Sequence, residues 1–170
     1  MMKLWFKAEN VVSQNPERFD SKKKGLRLRF EKDVDPEVKR CIKEFCAWLR
    51  TIFVFPIRIV IYIRSAEYVR THDGELVSAK FWGPYDFGGN PYAVIGTGNY
   101  NGSLEGKEKD NELAGILCSI GHELTHYYQW ITDPQWREEK NVDEIKKEER
   151  QAVYYSRAIV DYYANTREHP

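Results

Sequence analysis

Cysteine, net charge and long apolar runs are all scarce in this chain of 170 residues. Cys41, Cys46 and Cys118 are odd in number and none sits in a Cys-x-x-Cys pair, so neither a redox centre nor a zinc knuckle is written here. A reduced compartment follows. Lys and Arg number 26 and Asp and Glu number 26, so no overall field draws the chain toward nucleic acid or an anionic membrane, and neither partner is expected. Even the apolar stretch from Ile52 to Ile63 is broken by Pro56 and Arg58, which excludes a membrane span there. Leu4-Trp5-Phe6, followed at once by Lys7, is too short for a signal peptide. A cytoplasmic protein is the expectation.

What is present suffices for a core, since 42% of residues are apolar, and the length suits one domain over 1–170. Residues 1–25, with Pro16 and the basic run Lys22-Lys23-Lys24, read as a loosely held arm or hairpin. Leu26, Leu28 and Phe30 alternate with Arg27, Arg29 and Glu31 as in a half-buried strand. Asp35-Pro36-Glu37 then has the order N-cap, first-turn proline, first-turn acid, predicting a helix over 36–51 that buries Val38, Ile42, Phe45, Trp48 and Leu49. The β-branched residues of 57–63 predict a central strand. Asp73-Gly74 predicts a hairpin between 68–71 and 76–82. A loop containing Gly88 and Pro91 leads to a short strand over 92–97, which Gly96 and Gly98 mark as an edge open to another backbone. Two helices follow, from Asp110 or Asn111 to Ile131, ended by Asp133-Pro134, and from Val142 or Asp143 to Tyr163.

The chemistry is concentrated in His122-Glu123-Leu124-Thr125-His126, inside the first of those helices. Histidines at i and i+4 project from one helix face at a spacing suited to two zinc bonds, and Glu123 stands beside them as a base for an attacking water. Leu113, Leu117, Ile120, Leu124 and Ile131 form a stripe opposite the histidines, so this helix has a core face and a separate polar face. Gly115, Cys118 and Ser119 on the second face leave room for another element. A catalytic zinc needs a third protein ligand. The metzincin continuation is excluded, because Gln129 and Thr132 stand where its glycine and third histidine belong. The last helix offers Glu148 and Glu149. Its apolar stripe is Ile145, Ala152, Val153, Ile159, Val160 and Tyr163, and at about 100° per residue Glu149 falls near the centre of that stripe. A carboxylate there needs a cationic partner, which favours Glu149 as the third ligand.

His122 to His126 followed by Glu149-Arg150-Gln151-Ala152 resembles the gluzincin metallopeptidases, in particular small single-domain forms whose third ligand opens a Glu-x-x-Ala motif. The resemblance covers the two C-terminal helices. It implies an α+β, zincin-like fold, with an N-terminal helix, a small mixed or antiparallel sheet, an active-site helix and a C-terminal glutamate helix. It further implies a zinc cofactor, Glu123 as general base, a peptide or protein substrate, and an endopeptidase rather than an exopeptidase. Tyr154 and Tyr155, with Tyr162 and Tyr163 on the same helix, are then candidate oxyanion donors, and Ala93, Val94, Ile95 and Gly96 the edge strand that receives an extended substrate. One departure stands out: larger gluzincins carry an aspartate four residues after the ligand glutamate to hold a zinc histidine, and here that position is Val153. The alternative is a zinc-stabilised or latent binding module without peptidase activity, which needs a fourth protein ligand such as Cys118. Whether Tyr127-Tyr128-Gln129-Trp130 lines a cleft or is buried stays open at this level.

Overall fold

The computed structural model describes residues 2–19, 23–85, 89–133, 136 and 139–170. Lys22, Gly88 and Pro134, named above, lie outside them. The described chain is mixed α+β: α1 (Lys3–Gln14), a 3-10 turn (Pro16–Arg18), β1 (Leu26–Phe30), α2 (Pro36–Ile52), β2 (Ile59–Arg64), β3 (Val69–Arg70), β4 (Leu76–Val77), β5 (Ala79–Trp82), β6 (Tyr92–Gly96), α3 (Gly106–Thr132) and α4 (Val142–Ala164). Four strands form a sheet in the order β1-β2-β6-β5. β1, β2 and β6 run parallel, and β5 is antiparallel to β6. α2 supplies the crossover that the parallel β1–β2 pair requires.

Alternation decides which sheet face is buried. Ile59, Ile61 and Ile63 of β2, with Ala93 and Ile95 of β6, are at most 1% exposed and point toward the helices. α2 packs on β1, and α3 on β5 and β6. The other sheet face carries Arg27, Arg29, Val60, Tyr62 and Tyr92, and no helix covers it among the described residues. Asp35 caps α2 by accepting a hydrogen bond from the Glu37 amide at 2.8 Å, and Val38, Ile42, Phe45 and Leu49 are buried, with Cys41 and Cys46 between them. α4 starts at a capping box in which Asn141 and Glu144 satisfy each other's backbone amides.

Three expectations need correction. Residues 3–14 are a docked helix, because Leu4, Trp5, Ala8, Val11 and Val12 make one apolar stripe and lie against α3, with Trp5 1% exposed. The Asp73-Gly74 hairpin contains only β3 and β4; after Val77 the chain leaves it, and Ala79–Trp82 joins the larger sheet as β5. β6 is an inner strand with neighbours on both sides, so Ala93, Val94, Ile95 and Gly96 form no edge. The edge is β5. The glycines serve an internal approach instead: a Cβ at Gly98 would lie 2.2 Å from the Glu67 amide nitrogen, and one at Gly96 would lie 2.8 Å from the Ala66 carbonyl oxygen.

The two α2 thiols are enclosed. Burial pushes Cys41 and Cys46 up to about 12, and it also raises Cys118, which is partly exposed between α3 and α4. Because the thiolate is the reactive form, native protein exposed to an aromatic disulfide reagent should titrate at most one thiol, and that one slowly. All three should react on unfolding. Rapid reaction of two thiols in the native state would contradict this packing.

Candidate metal centre

α3 and α4 run side by side, and their closest approach is set by a residue with no side chain. A Cβ at Gly121 would stand 3.2 Å from the Ser156 Cα and 3.1 Å from a methyl of Ile159. That contact lies one residue before His122, so it sets how far α4 stands from the histidines. Lys140 fastens the start of α4: it pairs with Asp133 at 2.8 Å and with Glu148, and lies over the Trp136 ring at 4.5 Å. The α3 stripe of Leu113, Leu117, Ile120, Leu124 and Ile131 is buried as read, and so are Tyr127, Tyr128 and Trp130.

This packing brings His122, His126 and Glu149 together. The two Nε2 atoms are 3.1 Å apart, and Glu149 reaches His122 Nε2 at 3.2 Å and His126 Nε2 at 3.1 Å with its two oxygens. Among the described residues these three are the one group of His, Cys, Asp and Glu whose ligand atoms all fall within 4.8 Å of each other. A tetrahedral zinc with bonds of about 2.0–2.1 Å has ligand atoms roughly 3.3–3.4 Å apart, so the donor set and its spacing fit that ion. The Glu149 side chain is 53% exposed and sits at the rim of the helix seam rather than the centre of a buried stripe. Ile145 and Val153, expected in that stripe, are also exposed, because the seam is formed by Ala152, Tyr155, Ser156, Ile159, Val160 and Tyr163.

The partner that Val153 cannot provide is Gln129. Its Nε2 donates to the Glu148 carbonyl oxygen at 3.1 Å and to Gln151 Oε1 at 2.8 Å, which turns its own Oε1 toward His126 Nδ1 at 2.7 Å. An acceptor there keeps the proton on Nδ1 and leaves the Nε2 lone pair facing Glu149 and His122. His126 Nε2 and one Glu149 oxygen then face His122 Nε2 while the other oxygen faces His126 Nε2, and acceptors this close need a cation between them, either a proton or a metal. The protein's own groups already register this. The hydrogen bond from His126 holds the Glu149 carboxyl down at about 2, against the opposing effect of burial. Burial lowers His122, whereas for His126 the pull of Glu149 overcomes burial and raises it. In the sequence Gln129 stands where another pattern has a glycine, which says nothing of a role beside His126. Its spacing, one turn after His126, was the available signal. Gln129→Leu should weaken zinc binding about 10- to 100-fold by competition with a chromogenic chelator. Unchanged affinity would remove Gln129 from this role.

Glu123 points to the other side of the histidines, toward β5. It is 6% exposed, and burial raises its carboxyl to about 7, with the His126 charge opposing. Together with Lys80, Phe81, Trp82, Gly83, Trp136 and the three clustered residues it lines a cleft of about 440 Å³. The chain leaves this cleft pressed on Trp130, since a Cβ at Gly83 would be 2.7 Å from its indole, and the Trp130 Nε1 donates to the Pro84 carbonyl oxygen at 3.0 Å. Tyr154 and Tyr155 do not line the cleft. They follow Glu149 by five and six residues, a phase that turns them away from its face; Tyr154 is 60% exposed and Tyr155 is packed in the core. Cys118 lies on the helix seam, 4.0 Å from the Ser156 carbonyl oxygen, outside the cluster. Among the described residues no helix is long and apolar enough to cross a membrane. No family model matches this chain, and no curated protein or solved structure matches it.

Proposed function

We propose that this chain is a zinc-dependent metallopeptidase with a zincin-like arrangement, cutting within peptide chains bound alongside β5. The observation that carries the reading is the meeting of His122 Nε2, His126 Nε2 and the Glu149 carboxylate beside a buried acid in a cleft. Those three residues would hold the metal. A zinc ion supplies Lewis acidity, making water a nucleophile near neutral pH and polarising a carbonyl.

Glu123 does the proton work. At about 7 its carboxyl is balanced between the two forms, and a dication on the neighbouring nitrogens favours the ionised one, which is the base. It takes a proton from the attacking water and returns it to the leaving nitrogen. Its burial keeps bulk water from competing for that proton. β5 is the exposed edge next to the cleft, and an extended peptide adds to such an edge through backbone hydrogen bonds. Among the described residues no fourth His, Cys, Asp or Glu joins the group, so a zinc held by these three would keep a place for water or substrate, unlike a structural site.

The test is elemental analysis of protein purified without metal-affinity resin, together with cleavage of a quenched-fluorescent peptide library. Wild type should carry one zinc per chain, and Glu149→Ala should carry none at matched concentrations. Occupancy should fall as pH is lowered through the histidine range, because protons compete for both Nε2 atoms. Absence of zinc after replenishment ends the metallopeptidase reading, and zinc without cleavage turns it into the latent module.

A further inference from the structure

The sheet face turned away from the helices has a chemistry of its own. The registers align two rows across the four strands: Arg27, Val60, Tyr92 and Trp82, then Arg29, Tyr62, Val94 and Lys80. Each row starts with arginine at the β1 edge. The aromatic side chains are in contact across strands, Trp82 stacked on Tyr92 with centroids 5.4 Å apart and Tyr62 edge-on to Tyr92 at 6.1 Å. Trp82 is 42% exposed and Tyr62 36%, and the Arg64 guanidinium lies 5.8 Å over the Tyr62 ring.

Around the β1 edge runs a groove of about 620 Å³ lined by Arg27, Arg29, Arg58 and Val60 on this side and by Leu28 of β1 with Lys43 and Arg50 of α2 on the other. No carboxylate lines it among the described residues. Arg50 donates Nε and Nη2 to the Leu26 carbonyl oxygen, so its charge is fixed there without an acidic partner. The Nε of Arg58 is buried and has no hydrogen-bond partner. The Arg58 amide donates to the Lys23 carbonyl oxygen at 2.7 Å, which brings the basic Lys23-Lys24 pair to the same end. Two acids stand on this side and both are engaged: Glu31 accepts from the Ser65 amide and hydroxyl, and Asp73, which lines a cavity with Lys80, Trp82, Tyr92 and Val94, accepts from the Thr71 hydroxyl. The zero net charge of the chain thus averages over a groove lined by cations alone among the described residues.

We infer that this face binds single-stranded nucleic acid, its arginine groove taking phosphates and its Tyr62–Tyr92–Trp82 row taking bases. Charge complementarity selects a polyanion, and exposed flat rings beside the cations select one with flat groups to stack. An acidic peptide makes no use of three adjoining aromatic faces. An anionic membrane also takes Trp and Tyr at its interface, and the vesicle arm of the test below separates it from a nucleic acid. Strands about 4.8 Å apart make the four-stranded width roughly 14 Å, room for two or three stacked bases. The arginine groove shares no lining residue with the metal cleft, whereas Trp82 and Lys80 belong to the aromatic sheet face and also border that cleft.

Fluorescence anisotropy with labelled ten-nucleotide oligo(dT) and oligo(U), at several salt concentrations, tests it. Wild type should bind, with log affinity falling against log salt by about 0.7 per phosphate contact. The double variant Arg27→Ala/Arg29→Ala should weaken binding and flatten that slope, and Trp82→Ala should weaken it roughly five- to a hundredfold while leaving the slope unchanged. Circular dichroism should show all variants folded, since these side chains are exposed. No binding at low salt overturns the inference. So does affinity for poly-glutamate or phosphatidylserine vesicles that equals or exceeds that for the oligonucleotides, or binding indifferent to Trp82.

Discussion

Glu123→Gln is expected to keep one zinc per chain and to lower peptide cleavage by about 10²- to 10⁴-fold, the usual contribution of a positioned general base. The substitution preserves shape, which matters at a side chain only 6% exposed. It also leaves His122, His126 and Glu149 untouched, and Glu123 is not in their cluster. What the amide lacks is the ability to take a proton. Burial already holds the Glu123 carboxyl up at about 7, so folding gains little from its charge, and the melting temperature should not fall. Zinc analysis, peptide cleavage and thermal unfolding on one preparation separate the outcomes. Cleavage at the wild-type rate would remove Glu123 from the mechanism. Loss of zinc would mean instead that it supports the metal.

Trp5→Ala is expected to destabilise the fold by about 3–5 kcal/mol, the range for removing a large buried aromatic residue. Trp5 is 1% exposed, its ring lies 4.9 Å from both Phe53 and Tyr128, and its Nε1 donates to Thr125 Oγ1 at 3.2 Å. Removing it opens a cavity between α1 and α3 on the core side of α3. Thr125 keeps its own bond to the Gly121 carbonyl oxygen at 2.8 Å, so no buried donor is orphaned and the loss is chiefly packing. At roughly 2–4 °C per kcal/mol for a chain of this size, the melting temperature should drop by about 10 °C. Urea titration gives the free energy directly. A change below about 1 kcal/mol would mean that α1 is not held on α3.

Periodicity was most informative where one helix face meets the core. The α3 stripe and both boundaries of α2 were legible to within a few residues, because burial of Leu117 or Ile42 enforces the helical period. Glu149 was found by the same phase, although it reaches the histidines from an exposed rim rather than from an apolar stripe. Sheet order left no comparable trace. Gly96 and Gly98 correctly signalled close backbone approach, but the approaching backbone is Ala66–Glu67 of this chain, and a local pattern does not state which partner fills the gap. The α1 helix was legible in principle, since Leu4, Trp5, Ala8, Val11 and Val12 have helical spacing, yet its stability comes from docking on residues more than a hundred positions away. Gln129 and Gly121 act through single contacts across the α3–α4 seam, and such contacts have no period to read.

Separation along the chain also divides the contacts in time. His122 meets Glu149 across 27 positions, and the parallel pairs join Leu26 to Ile59 and Val60 to Tyr92 over similar lengths of chain, whereas Trp5 must find Thr125 across 120 positions. Contacts between near neighbours in sequence form quickly, and those that close long loops form late. The docking of α1 is therefore the step expected last, closing over an α3–α4 pair and a sheet that are already in place.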